Sequence, residues 1–245
     1  MSSKLIDLLE EVEHVMLDFD GPVCSVFGGD SAPGAAQQLR LLVQPQMDLP
    51  QPLRLTNDPL DFLELANADA KPFSRQIGEA VRDAEVTAVK TATATPGATG
   101  VLAAAKRSER TLSMISNNSR EAVTAYLADR GLTQYFEAIE ARTGSDTEQM
   151  KPSPYLLTRA LAGYASRHGG TGEQARRASV FVGDSITDVQ AANAAGIVCI
   201  AYANKPGKRA RFEDSEAAAI ITDMHELADA LNARWDAEWG KRGCC

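Results

Sequence analysis

The chain has 245 residues, 44% of them apolar, and carries 25 basic against 33 acidic side chains for a net charge of −8. That size and apolar content support a large α/β domain with a smaller insertion and exclude a disordered chain. The acidic balance argues against nucleic acid as a partner, and neither a signal-like first segment nor a membrane-length apolar run is present. The expectation is therefore a cytoplasmic protein with no membrane partner.

Leu5 to Glu13 reads as a short amphipathic helix, and an apolar strand follows it at once, Val15-Met16-Leu17, ending in Asp18-Phe19-Asp20-Gly21. Past Val23 the pattern leaves βα regularity. Gly28-Gly29-Asp30 and Pro33-Gly34 mark a loop, a helix is expected from Ala35 to Val43, and Pro45, Pro50 and Pro52 break the next connection. Asp58-Pro59 starts another helix with proline in its first turn. Ile77, Ala80, Val81, Ala84 and Ala88 form the apolar stripe of a longer helix, which ends in the linker-like Thr91-Ala92-Thr93-Ala94-Thr95-Pro96-Gly97.

From Ala98 onward helices and strands alternate as βα units do. Strands are expected at Leu112 to Ser116, Ser179 to Gly183, Ile197 to Ala201 and Ala219 to Thr222. A helix near Asn118 to Arg130 has Asn118 and Glu121 at capping-box spacing and Gly131 as its stop. The predicted fold is α/β: a Rossmann-like, doubly wound, mostly parallel sheet built from residues 1–23 and 95–245, interrupted by a helical cap at residues 24–94.

The chemistry concentrates at the ends of the apolar runs. Asp18 and Asp20 are two apart, so on a strand both would point the same way from its carboxyl end, where open α/β sheets bind ligands. Two like charges held together there call for a cation, a proton or both. Gly183-Asp184-Ser185-Ile186-Thr187-Asp188 supplies a second pair at i and i+4, which share a helix face. Ser116 closes one strand, and Lys151 precedes Pro152 at the start of a helix. Each piece has a plainer reading: Ser116 as a cap, Lys151 as a solvated charge, Asp184 as an N-cap and Asp188 as a first-turn acid.

The four motifs together, in this order, resemble the haloacid dehalogenase superfamily, in its phosphatase branch with a helical cap after the first motif, the branch of phosphoglycolate phosphatases and β-phosphoglucomutases. The resemblance covers about Val15 to Thr222. It implies Mg²⁺ held by Asp18, the backbone carbonyl of Asp20, Asp184 and, through water, Asp188. It further implies phosphate binding by Ser116, Asn117 and Lys151, with Asp18 as nucleophile and Asp20 as acid and base. A small phosphorylated metabolite is the expected substrate and a monomer or homodimer the expected state. The alternatives are a phosphomutase of the same superfamily and, from another class, a phospho-accepting module that does not turn over.

Weaker features remain. Arg40, Arg54, Lys71 and Arg75 are candidates for a second anionic group of the substrate. The basic stretch Lys205 to Arg211 reads chiefly as a solvated loop and helix start. Cys24 reads as a buried cap-hinge residue and Cys199 as a small core side chain, Cys244 and Cys245 lie on a polar tail, and Trp235 and Trp239 would pack a last helix. His14, His168 and His225 form no ligand set.

Overall fold

The apolar runs become strands of one six-stranded sheet. The computed structural model describes residues 3–28, 31–67 and 72–242. In chain order it contains α1 (Ser3–Leu8), β1 (His14–Asp18), β2 (Cys24–Ser25), α2 (Ser31–Val43), α3 (Gln51–Leu55), a 3-10 turn (Pro59–Phe62), α4 (Leu63–Asn67), α5 (Pro72–Ala88) and β3 (Thr93–Ala94). These are followed by α6 (Ala98–Arg107), β4 (Thr111–Ser119), α7 (Arg120–Asp129), β5 (Ala138–Arg142), α8 (Tyr155–His168), α9 (Gly172–Arg177), β6 (Ser179–Gly183), α10 (Ile186–Ala195), β7 (Val198–Tyr202), α11 (Lys208–Glu213), β8 (Ala219–Ile221) and α12 (Met224–Arg242). Lys71, Cys244 and Cys245 lie outside the described residues, as do the side chains of Trp235 and Trp239.

The sheet runs β5-β4-β1-β6-β7-β8, and every neighbouring pair is parallel. It is the expected Rossmann-like α/β fold, and its strand order explains where a site can form. From β1 the chain builds outward through β4 and β5 on one side and β6, β7 and β8 on the other. The connections therefore leave a crevice at the carboxyl ends of the central strands, the place where such sheets bind ligands.

Alternation along the central strands divides the core into two layers. Val15 and Leu17 of β1 and Val180 and Val182 of β6 join one apolar cluster with Val101, Leu102, Val123 and Leu227 of α6, α7 and α12. Met16 and Phe181 point the other way, into a second cluster with Leu156, Leu157 and Val189 of α8 and α10. Both faces being covered, the central strands can be apolar throughout.

The segment between β2 and β3 is helical and has an apolar cluster of its own, including Leu39, Val43, Phe62, Leu63, Ile77 and Val81. Of the stripe expected along α5, Ile77 and Val81 are buried in that cluster with Ala80 packed against it, Ala88 joins the core beside the sheet, and Ala84 is half-buried. The chain enters and leaves the segment through a short antiparallel pair, Cys24 with Ala94 and Ser25 with Thr93. Cys24 is buried there and Cys199 is buried in β7.

Several local details differ from expectation, among them Pro33 and Gly34, which lie in the first turn of α2 and not in a loop. α1 stops at Leu8, short of the expected Glu13, whose N–H, like that of His14, is donated to the carbonyl of Ala178 at the start of the central strands. α7 is capped by Ser119, whose hydroxyl accepts from Ala122 N–H, because the Asn118 carboxamide donates to Glu85 instead. Lys151 lies in the turn before α8, which begins at Tyr155. Among the described residues, no helix is long and apolar enough to cross a membrane.

Candidate active site

Asp18 ends β1, Ser116 lies near the end of neighbouring β4, and Asp184 follows the last residue of β6, so the sheet alone brings three motifs side by side. Lys151 joins them from the turn before α8. Its ammonium is buried and lies 2.7 Å from Asp18 Oδ1 and 2.6 Å from Asp188 Oδ1. Burial alone would lower the lysine pKa; the two carboxylates overcome that and raise it, so the group is a fixed positive charge. The Asp18 carboxyl moves well above its ordinary value, first through desolvation and then through Asp188, while Lys151 pulls it back.

Local geometry sets each carboxylate. Asp18 Oδ1 also accepts from Phe19 N–H at 2.8 Å. Asp188 Oδ2 accepts from Asp184 N–H at 3.0 Å, Ser185 N–H at 2.9 Å and the Ser185 hydroxyl at 2.7 Å, completing a capping box at the start of α10. Asp188 is therefore both a helix cap, through Oδ2, and a member of the charged cluster, through Oδ1. Two glycines make the approach possible. A Cβ on Gly21, which has a φ of +104°, would lie 2.4 Å from Asp184 Cγ, and one on Gly183 would lie 2.4 Å from Asp188 Cβ.

Asp20 lies just beyond β1 and keeps an open face to solvent. The atoms packed around it nonetheless desolvate its carboxyl and push its pKa upward, a Val26 N–H bond to Oδ1 at 2.9 Å opposes the shift, and Asp184 adds to it. Ser116 is buried, its hydroxyl accepting from Asn118 N–H at 3.0 Å. Asn117 links β4 to the turn that carries Lys151. Its carboxamide clamps the main chain of Lys151, accepting from Lys151 N–H at 2.8 Å and donating to Lys151 O at 3.1 Å.

Oxygen donors suited to a hard divalent cation are present: Asp18, Asp184 and Asp188 each offer a carboxylate oxygen, and these oxygens all lie within 4.8 Å of one another. The donor set fits magnesium. Of the arginines in the helical segment, Arg40 donates to Thr56 O at 2.6 Å and Arg54 to Leu49 O and Asp48, so both act within that segment. Arg75 lines a cavity of about 230 Å³ between α5 and the start of α7, together with Arg82, Glu121 and Arg142.

Two groups of contacts had no counterpart in the sequence reading. Lys208 Nζ lies 2.5 Å from Asp184 Oδ2 and 2.7 Å from Asp184 O, and Asn204 Nδ2 donates to the same Oδ2 at 2.8 Å. Glu85, fully buried at the end of α5, pairs with Arg142 at 2.7 and 2.8 Å and accepts from Asn118 Nδ2 and Ser119 N–H. Arg142 in turn donates to Asn117 O at 2.9 Å. The helical segment is thus bonded to the tip of β4 that carries Ser116.

The sheet brings three carboxylates and a buried lysine to its switch point, and residues 56–202 match the model of the haloacid dehalogenase-like hydrolases. The chain belongs to that family. The match includes Ser116, Lys151, Asp184 and Asp188 but begins after Asp18 and Asp20, which join the site by their position. The relatives are more particular. The chain is 37% identical over 142 residues to the "Phosphoglycolate phosphatase, plasmid" of Cupriavidus necator, which aligns over 56% of this chain and 54% of that protein. It is 31% identical over 139 residues to the phosphoglycolate phosphatase of Nitrosococcus oceani, over 56% of each. The matched stretch thus spans little more than half the length of these relatives. Among solved structures, CbbY from Rhodobacter sphaeroides in complex with phosphate superposes with a TM-score of 0.65 at 20% identity, over 90% of this chain and 99% of that one. A HAD-superfamily hydrolase from Geobacter sulfurreducens superposes at 0.56 and 22%, over 90% and 97%. At such identities the likeness is one of fold.

Proposed function

We propose that the protein is a magnesium-dependent phosphomonoester hydrolase that acts on a small phosphorylated acid of the phosphoglycolate class through an aspartyl-phosphate on Asp18. The observation that carries this reading is the Lys151 ammonium set between Asp18 and Asp188, with Asp184 in the same oxygen cluster. The substrate class rests on the names of the relatives. Residues 24–94 act as the cap, hinged at the β2–β3 pair.

Asp18, the backbone carbonyl of Asp20 and Asp184 would hold magnesium, with Asp188 contributing through water, since its Oδ2 is committed to the helix cap. Magnesium when bound supplies positive charge that screens a carboxylate's approach to a phosphate dianion. Lys151 adds a positive charge that desolvation does not remove. Ser116 and Lys151 receive the phosphoryl oxygens, and Asn117 contributes by fixing the main chain of Lys151.

An Asp18 oxygen forms a bond to phosphorus as the ester P–O bond breaks, and Asp20 delivers its proton to the departing alkoxide. Water then attacks phosphorus, Asp20 takes the water's proton, and the acyl-phosphate P–O bond breaks to free inorganic phosphate and Asp18. The upward shift of Asp20 suits the first step, because a carboxyl at the ordinary value of about 3.9 would hold little proton near neutrality. Its Oδ1 accepts from Val26 N–H, in the turn after β2 that leads into the helical segment, so the entry to that segment is bonded directly to the acid–base group.

Phosphate release from phosphoglycolate, sugar phosphates and nucleotides, measured with and without Mg²⁺, tests the reading. Asp18→Asn should abolish turnover, and Lys151→Ala should reduce it on the order of a hundred- to a thousand-fold. Near-normal turnover by Asp18→Asn would reject the nucleophile.

A further inference from the structure

The first carboxylate of the second acidic pair has its own resident cation. Lys208, the first residue of α11 after the loop that follows β7, reaches back to Asp184, just past the end of neighbouring β6, where its ammonium meets both Oδ2 and the main-chain oxygen. Asn204, from the same loop, donates to that Oδ2 as well. Neither the lysine nor the aspartate is an exposed surface charge, at 21% and 17% side-chain exposure. Both donors converge on one oxygen, so Asp184 is held on the side away from its other oxygen. The family match ends at residue 202, just short of both donors.

Charge balance gives this arrangement a task beyond holding one side chain. The clustered carboxylates of Asp18, Asp184 and Asp188 face two ammonium groups, those of Lys151 and Lys208. Those three carboxylates and two ammonium groups sum to one negative charge before a divalent cation binds and one positive charge after. Without Lys208 the loaded site would be neutral. A phosphate dianion would then meet a weaker net attraction.

We propose that Lys208 is a charge-balancing residue of the phosphate site, which weakens magnesium binding and strengthens binding of the phosphoryl group, while Asn204 holds Asp184 in place. The assignment rests on the hydrolase reading above. Its signature is a pair of opposite changes, because removing one positive charge favours a cation and disfavours an anion. A lysine that only oriented Asp184 would, on removal, weaken both ligands together.

The test uses the 245-residue chain and two probes, Mg²⁺ alone and inorganic phosphate at saturating Mg²⁺, each titrated by isothermal calorimetry. In Lys208→Met the Mg²⁺ dissociation constant should fall and the phosphate constant should rise, each by about three- to tenfold. Lys208→Arg, which restores the charge, should return both to within about twofold of wild type. Lys208→Gln replaces the Met variant if that variant fails to give the native circular dichroism spectrum. Weakening of both ligands, or no change in either, would overturn the assignment. A wild-type chain that binds neither Mg²⁺ nor phosphate would instead reject the hydrolase reading, so the two failures are distinguishable.

Discussion

His14 gives the protein a pH-dependent stability whose size follows from its surroundings. The ring is fully buried at the start of β1, between the hydroxyls of Ser113 at 2.8 Å and Ser179 at 2.9 Å, and stacks on Tyr164 with centroids 4.5 Å apart and planes 4° from parallel. Desolvation lowers its pKa to about 4; Glu137 opposes the shift, and His168 and Arg167 add to it. The unfolded chain takes up this proton near pH 6.5, before the native state does. Stability from the neutral ring is thus complete above that pH and is lost progressively as pH falls toward 4. Integrating between those two values, the native state loses roughly 2 kcal/mol from this group on going from pH 7 to pH 4.5. Urea denaturation of wild type and of His14→Gln at both pH values measures it. Gln keeps a donor and an acceptor but does not titrate, so the wild type should lose about 2 kcal/mol more than the variant. Equal losses in the two proteins would refute the reasoning.

Other perturbations test the framework around the site. Glu85→Ala leaves the Arg142 guanidinium buried without its carboxylate, which should lower stability by about 3 to 5 kcal/mol in chemical denaturation; a change below about 1 kcal/mol would show that the pair contributes little. Glu85→Gln retains an acceptor for Ser119 N–H and should fall between the two. Gly21→Ala places a methyl group 2.4 Å from Asp184 Cγ at a φ of +104°, so phosphate release should fall by at least about a hundredfold while circular dichroism stays native. A fully active Gly21→Ala would mean that Asp184 can retreat without harm.

The residues legible in sequence are those whose placement follows from local period. Asp18, Ser116 and Asp184 close or follow apolar runs, and strand tips in a parallel sheet share one edge, so their meeting was foreseeable. Asp188 was foreseeable from its position four residues along a helix. Lys208 was not: it lies in a basic run after a strand, and only the adjacency of β6 and β7 brings it to Asp184. Glu85 was hidden differently, as an acid between Ala84 and Val86 whose partner Arg142 lies 57 residues away. The α7 cap falls on Ser119 and not on Asn118 for the same reason, since the long-range partner Glu85 on α5 takes the Asn118 carboxamide.

The central claim is that four separated stretches of chain surround one metal ion and one phosphorus atom, with Asp18 as the group that bonds to it. A crystal structure grown with Mg²⁺ and beryllofluoride, a mimic of a phosphoryl group on a carboxylate, tests it most directly. The account predicts the fluoride group on an Asp18 oxygen, within hydrogen-bond reach of Ser116 and Lys151, with Mg²⁺ about 2.1 Å from oxygens of Asp18 and Asp184. An adduct on another residue, or a metal bound away from these carboxylates, would contradict it.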